Sequence, residues 1–257
     1  MAEIEDAETD YDLSITVSTG SYYTLQNGRS LHIATRTRDR VILNDTSNRL
    51  FIDDIWPGAK ATADFFNLNS MFCNNKTILE LGAGAALPSL VASALGARLT
   101  VISDFPEISV LDHIATLLER NKLSNCKVLG HKWGEDMDKL LHISDETSNG
   151  YDLIILAELL WKDTYSEHFR LLTSVAHCLS REFGIAVVAF THRATAEHTE
   201  DKDMEFFDTA QRHFGLKCTW ISTSSDYYDV FSDEKAAVNI YFMHFSDNLR
   251  VNTLHIK

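Results

Sequence analysis

Prolines number three and cysteines four in this chain of 257 residues, and neither type is patterned. Cys73, Cys126, Cys178 and Cys218 form no CxxC pair, so a disulfide scaffold is excluded and free thiols in a reducing compartment are expected. The eleven histidines include no HExxH or comparable ligand spacing, and no metal site is expected. No apolar run is long enough to span a bilayer and no signal peptide opens the chain, so the default compartment is the cytoplasm, with no membrane partner. Positive charge is scarce: 23 Lys and Arg stand against 37 Asp and Glu, a net charge of -14. That balance argues against a grip on nucleic acid and favours either a basic protein partner or plain solubility. Repeats and low-complexity tracts are also missing, and nothing marks an interdomain linker.

What is present is ordinary for a globular domain, with 45% hydrophobic and 23% charged residues. The acidic stretch 1–20 reads as a flexible tail. Between 21 and 55 the pattern is β-like, with Asn27-Gly28 between Tyr22–Leu25 and Leu31–Ala34 as a hairpin signal. Arg40–Leu43 and Arg49–Ile52 are candidate further strands of this β extension.

The main domain is expected over 56–257, and its organising stretch is Lys76–Leu90. Ile78, Leu79 and Leu81 read as a buried strand bracketing Glu80, and Gly82 and Gly84 permit a tight turn. The apolar period then becomes helical, with Leu87, Leu90, Val91 and Ala94 on one side. Leu99–Ile102 is a second strand, and Asp104 ends it about 20 residues past the turn, where a carboxylate would reach a ribose diol. Helices follow at Ala59–Phe66, Ile108–Leu118, Phe169–Leu179 and Met204–Phe214. Strands are expected at Lys127–Gly130, Tyr151–Ala157, Ile185–Phe190, Lys217–Ser222 and Val238–Phe245. This alternation predicts an α/β, doubly wound, mostly parallel Rossmann-like sheet with an antiparallel pair at one edge.

No lysine follows the glycines, so the loop is not a P-loop, and Ala86 stands where a dinucleotide fingerprint has its third glycine. Glu80, two residues before the first glycine, suits a ligand carrying a cationic amino group better than a pyrophosphate. S-adenosylmethionine is such a ligand; a βα turn that only packs is the alternative. Candidate site residues collect at predicted strand ends. Asp104 would bind ribose or cap the following helix. Trp133 would offer adenine a flat face or fill core. Glu158, at the mouth of an apolar strand, would need a partner in the site, or else cap a helix near Thr164 or pair with a surface cation. His192 would accept a proton or be structural.

Glu80-Leu-Gly82-Ala-Gly84-Ala-Ala-Leu-Pro88-Ser resembles motif I of the seven-strand, class I S-adenosylmethionine-dependent methyltransferases, and more closely their lysine-methyltransferase-like branch, family 16. Ser103-Asp104-Phe-Pro-Glu107 resembles that branch's second acidic motif. Trp56 is similar to its entry tryptophan, Trp133-Gly134 to its Trp-Gly pair, and Asp152–Trp161 to its post-II motif. The chain departs from the pattern at Glu158, where Asp is usual, and at Leu160-Trp161. Ala-Leu-Pro-Ser combined with Asp-Phe-Pro resembles the fungal subgroup acting on lysine and N-terminal amines of translation elongation factor 1-alpha, also described as nicotinamide N-methyltransferase-like.

The resemblance implies cofactor contacts from Trp56, Gly82, Ala83, Gly84, Asp104, Trp133 and Ala157. It also implies a basic protein substrate such as elongation factor 1-alpha, met by a monomer. Glu158 would orient the acceptor amine and Trp161 would wall its channel. A small-molecule N-methyltransferase and an inactive cofactor-binding partner subunit are the other readings.

Overall fold

The computed structural model describes residues 21–33, 54–193, 200–230 and 234–245. The expected acidic tail and the candidate strands at Arg40–Leu43 and Arg49–Ile52 lie outside the described residues.

The central strand β3 (Thr77–Leu81) is buried along its whole length. Its side chains divide between two cores: Ile78 packs in one, Leu79 and Leu81 in the other. Covering both faces are α1 (Pro57–Leu68), α2 (Leu87–Ala94) and α3 (Ile108–Asn121) on the Ile78 side, with α4 (Met137–Leu141), α5 (His168–Cys178) and α6 (Glu200–Phe214) opposite. A strand covered on both faces loses its polar/apolar alternation, which is why β6 (Leu153–Ala157) reads as a continuous apolar run and β3 carries adjacent apolar residues at Ile78 and Leu79.

The described residues form one seven-stranded sheet in the order β5-β4-β3-β6-β7-β9-β8. Its remaining strands are β4 (Leu99–Asp104), β5 (Cys126–Gly130), β7 (Ile185–Thr191), β8 (Leu216–Tyr228) and β9 (Lys235–Phe245). β3 through β7 pair in parallel, whereas β9 runs antiparallel to both β7 and β8. The order reverses at β3, where β4 lies on one side and β6 on the other. A crevice opens there beyond the carboxyl ends of the strands, the place where open α/β sheets bind ligands.

The hairpin is a separate two-stranded sheet, β1 (Ser21–Thr24) with β2 (Ser30–Ile33). Its Leu25 and Leu31 enter the main core. Asn121, the last residue of α3, receives its edge: the side-chain Oδ1 accepts from His32 N at 2.7 Å and Nδ2 donates to His32 O at 2.8 Å. One side-chain amide thereby satisfies both backbone groups that a third strand would have paired. Tyr23 and Tyr227 close the other flank, donating to the two carboxylate oxygens of Asp64 at 2.6 and 2.8 Å.

β8 continues to Tyr228, well beyond the expected Ser222. It is an edge strand broken by register shifts between Trp220 and Ser222 and between Ser224 and Tyr227, and its outer half runs through the polar stretch Ser222–Asp226. Polar edges and bulges blunt an exposed strand but also erase its sequence signal.

Candidate functional site

Nine of the expected site residues lie around one cavity of about 640 Å³ at the β3 switch point: Trp56, Gly82, Ala83, Gly84, Asp104, Trp133, Ala157, Glu158 and Trp161. They come from five stretches of chain, and the sheet brings them together.

The loop after β3 is stitched to the end of β4. Ala83 N donates to Ser103 O at 3.1 Å, and Gly84 N donates to Asp104 Oδ2 at 2.8 Å. Gly82 has φ +64, and a Cβ there would sit 2.7 Å from Leu159 Cδ2 and 3.2 Å from Trp133 Cζ2. The loop can lie this close to both side chains only because that position is bare. Asp104 accepts a second backbone bond from Phe105 at 2.7 Å. Burial raises its pKa, opposed by those two amides.

Glu80 is not in the cavity. It is 1% exposed and turned under the loop, where Oε2 accepts from Ser89 N at 3.1 Å in the first turn of α2. The acid before the first glycine therefore caps a helix instead of facing a ligand's amino group. Burial, helped by nearby Asp104, pushes its pKa up to about 8.

Glu158 has a parallel arrangement on the next helix. Its Oε1 accepts from Gly58 N, in the first turn of α1, at 2.8 Å and from Thr191 Oγ1 at 3.0 Å. The helix that Glu158 caps is thus α1, 100 residues upstream, not one beginning near Thr164. Gly58 is obligatory for this approach, since a Cβ there would lie 2.8 Å from both Glu158 Cγ and Ala189 O. Oε2 is held by Arg193 Nη1 at 2.6 Å, and Arg193 Nε reaches Asp229 at 2.8 Å. Glu158 itself has φ +59 and lies just past β6, where its backbone N donates to Ala189 O at 2.7 Å.

Trp56 and Trp161 meet edge to face, with ring centroids 6.3 Å apart. Trp161 Nε1 donates to Asp163 at 2.9 Å. His192, the other candidate, does not line the cavity; it bonds buried Asp203 at 2.7 Å. Among the lining residues without an earlier role is His131, buried against Ser174 and with its pKa lowered by that burial. Its place directly after β5 and beside Trp133 was the available signal. The rim is mainly acidic, with Asp54, Glu107, Glu135, Asp163 and Glu167 against Lys132 and Arg170.

This strand order and this crevice define a class I S-adenosylmethionine-dependent methyltransferase fold. Solved structures share it: an O-methyltransferase from Bacillus cereus in complex with S-adenosylhomocysteine has a TM-score of 0.52 at 13% identity, over 74% of this chain and 82% of that one. Trm5b from Pyrococcus abyssi gives 0.55 at 13% identity, over 88% and 56%. The lysine methyltransferase family model matches residues 37–213, and the chain belongs to that family. It is similar to the protein N-terminal and lysine N-methyltransferase EFM7 of Yarrowia lipolytica, 30% identical over 210 residues and 74% of each chain. EFM7 of Gibberella zeae is 30% identical over 226 residues, 81% of this chain and 79% of its own. The protein is an S-adenosylmethionine-dependent methyltransferase.

The donor set suits that cofactor. The cavity has a size common for such ligands, backbone amides at a bare glycine turn, one aspartate and aromatic faces. When bound, S-adenosylmethionine supplies an electrophilic methyl group on a sulfonium.

Proposed function

We propose that this protein methylates a protein amine, a lysine side chain or an N-terminal amine, with elongation factor 1-alpha as the first acceptor to test. It does so as a cytoplasmic monomer. In this reading the Gly82-Ala83-Gly84 backbone lies along the methionine part of the cofactor. Asp104 takes the ribose hydroxyls, Trp133 the adenine, and Trp56 and Ala157 complete the contacts. Glu158 and Trp161 face the acceptor.

The observation that carries the reading is the two-sidedness of one cavity. Within the one lining, Trp133 and Asp104 gather at the glycine loop, whereas Trp56, Trp161 and Glu158 gather around Arg193. Methyl transfer needs a neutral amine held in line with the methyl–sulfur bond and little covalent assistance. A fixed carboxylate can accept an N–H of the amine and offset the charge that develops on nitrogen. Aromatic faces tolerate the resulting methylated ammonium. The acidic rim and the net charge of -14 support a basic acceptor, which long-range attraction would draw to the mouth.

The test is to incubate the protein with S-adenosylmethionine labelled in the methyl group and a fungal lysate, with nicotinamide in a parallel reaction. Label on a protein amine is the expected outcome. Label on nicotinamide, with none on protein, would assign the small-molecule activity instead.

A further inference from the structure

Four elements meet at one guanidinium. Arg193 lies just past β7, Glu158 just past β6, Asp229 just past β8, and Trp56 immediately before α1. Arg193 spans the two carboxylates, Nη1 to Glu158 at 2.6 Å and Nε to Asp229 at 2.8 Å. Its Cζ lies 5.0 Å from the Trp56 ring centroid and 5.3 Å from that of Trp161. The side chain is 9% exposed, with Glu158 at 3% and Asp229 at 14%. Arg193 itself does not line the cavity, whereas Glu158, Trp56 and Trp161 do.

We infer that Arg193 is the positioning residue of the acceptor wall: from behind, it fixes the Glu158 carboxylate and the Trp56 and Trp161 rings in one preformed arrangement. This rests on the proposed acceptor role of Glu158 and Trp161, against which the Trp56 ring packs. The chemistry favours arginine for the task. A planar guanidinium bonds two carboxylates through different nitrogens while its faces remain available to aromatic rings, and an ammonium offers only a point charge. Glu158 has Gly58 N and Thr191 Oγ1 on one oxygen, so Arg193 is what holds the other. Without it, that oxygen would be free to swing, and each tryptophan would lose the cation between them. A misplacement of this kind costs rate more than affinity, because in-line transfer tolerates little angular error.

Buried Arg193 also helps hold the fold, so the test needs readouts that stability alone would not move. Arg193→Gln, Arg193→Lys and Asp229→Asn are assayed below their melting transitions, with recombinant unmethylated elongation factor 1-alpha as acceptor and S-adenosylhomocysteine as cofactor probe. For Arg193→Gln, the acceptor kcat/KM is expected to fall by about 30-fold or more while the S-adenosylhomocysteine Kd stays within about threefold. Arg193→Lys, which keeps the charge but not the fork, should recover part of the rate, and Asp229→Asn should lose less than Arg193→Gln. Acrylamide quenching of tryptophan fluorescence should increase in Arg193→Gln and lie between in Arg193→Lys.

Wild-type turnover in folded Arg193→Gln, or equal losses of turnover and cofactor binding, would overturn the inference. If the wild type itself methylates no acceptor, the proposed function fails. The quenching then decides the inference separately: unchanged quenching in Arg193→Gln rejects the bracing role and increased quenching upholds it.

Discussion

Gly84 and Asp104 are joined by a hydrogen bond, Gly84 N to Asp104 Oδ2 at 2.8 Å, across 20 residues of sequence. The bond makes the glycine loop and the end of β4 a single unit, so the carboxylate that would meet a ribose is aimed by the loop that would meet the methionine part. Asp104→Ala is therefore expected to weaken S-adenosylhomocysteine binding by about 1–3 kcal/mol, through the lost acceptor and the orphaned Gly84 amide. Asp104→Asn, which keeps one acceptor oxygen, should lose less. Titration calorimetry checks both; normal affinity in Asp104→Ala would reduce the residue to a brace for the loop.

Much of this unit was legible because it is local. The change from a buried strand to a helical period around Gly82 is written within fifteen or so consecutive residues, and Asp104 follows at the spacing of a βαβ turn. The parallel strands and the antiparallel edge were readable from the same alternation. Glu80 was misjudged because β3 is buried on both faces, so no alternation tells which way an acid at its end points. The five-residue α4 is too short to display a period. The Arg193–Asp229 pair, 36 residues apart, and the Gly58–Glu158 bond, 100 apart, depend on how the sheet closes and leave no local trace.

Glu158 carries both a structural and a functional load, and two substitutions separate them. Glu158→Ala would leave Arg193 facing one carboxylate instead of two and strip the cap from α1. It should cost about 3–5 kcal/mol of stability, the scale for breaking a buried ion pair. Glu158→Gln keeps the shape and the acceptor for Gly58 N, so it should melt closer to wild type. If the carboxylate serves the acceptor amine, Glu158→Gln turnover should still fall by about 100-fold, or roughly 2.7 kcal/mol of barrier, with S-adenosylhomocysteine affinity nearly unchanged. Full turnover in Glu158→Gln would confine the residue to capping and pairing.

Glu80 makes stability depend on pH. Its native pKa of about 8 exceeds the ordinary 4.5, so between those values the native state keeps a proton that the unfolded chain has lost. Stability from this group declines as pH rises through that window and levels off above it. Buried His168 acts in the opposite sense lower down: burial depresses it from 6.5 to about 4, so its contribution rises with pH across that interval. Between pH 6.5 and 8 the Glu80 effect is the larger, and the wild type should lose about 2 kcal/mol there in urea melts. Glu80→Gln should flatten that segment; an identical slope in both proteins would contradict the burial argument.

Asn121→Ala should release the hairpin without touching the cavity, which none of its described residues lines. The substitution leaves His32 N and O without their partners, at about 1–3 kcal/mol. Hydrogen exchange of the amides from 22 to 33 should accelerate, while S-adenosylhomocysteine affinity stays at the wild-type value. Unchanged exchange would mean that Leu25 and Leu31 alone secure the hairpin.

Transfer itself is tested most directly with purified components. Recombinant, unmethylated elongation factor 1-alpha is incubated with the protein and S-adenosylmethionine, and its intact mass and peptides are then measured. The expected result is one or more added methyl groups mapped to a lysine or to the N-terminal amine, absent when the cofactor is omitted and strongly reduced with Glu158→Gln. An unmodified acceptor, alongside methylated nicotinamide in a parallel reaction, would contradict the assignment of a protein amine as the substrate.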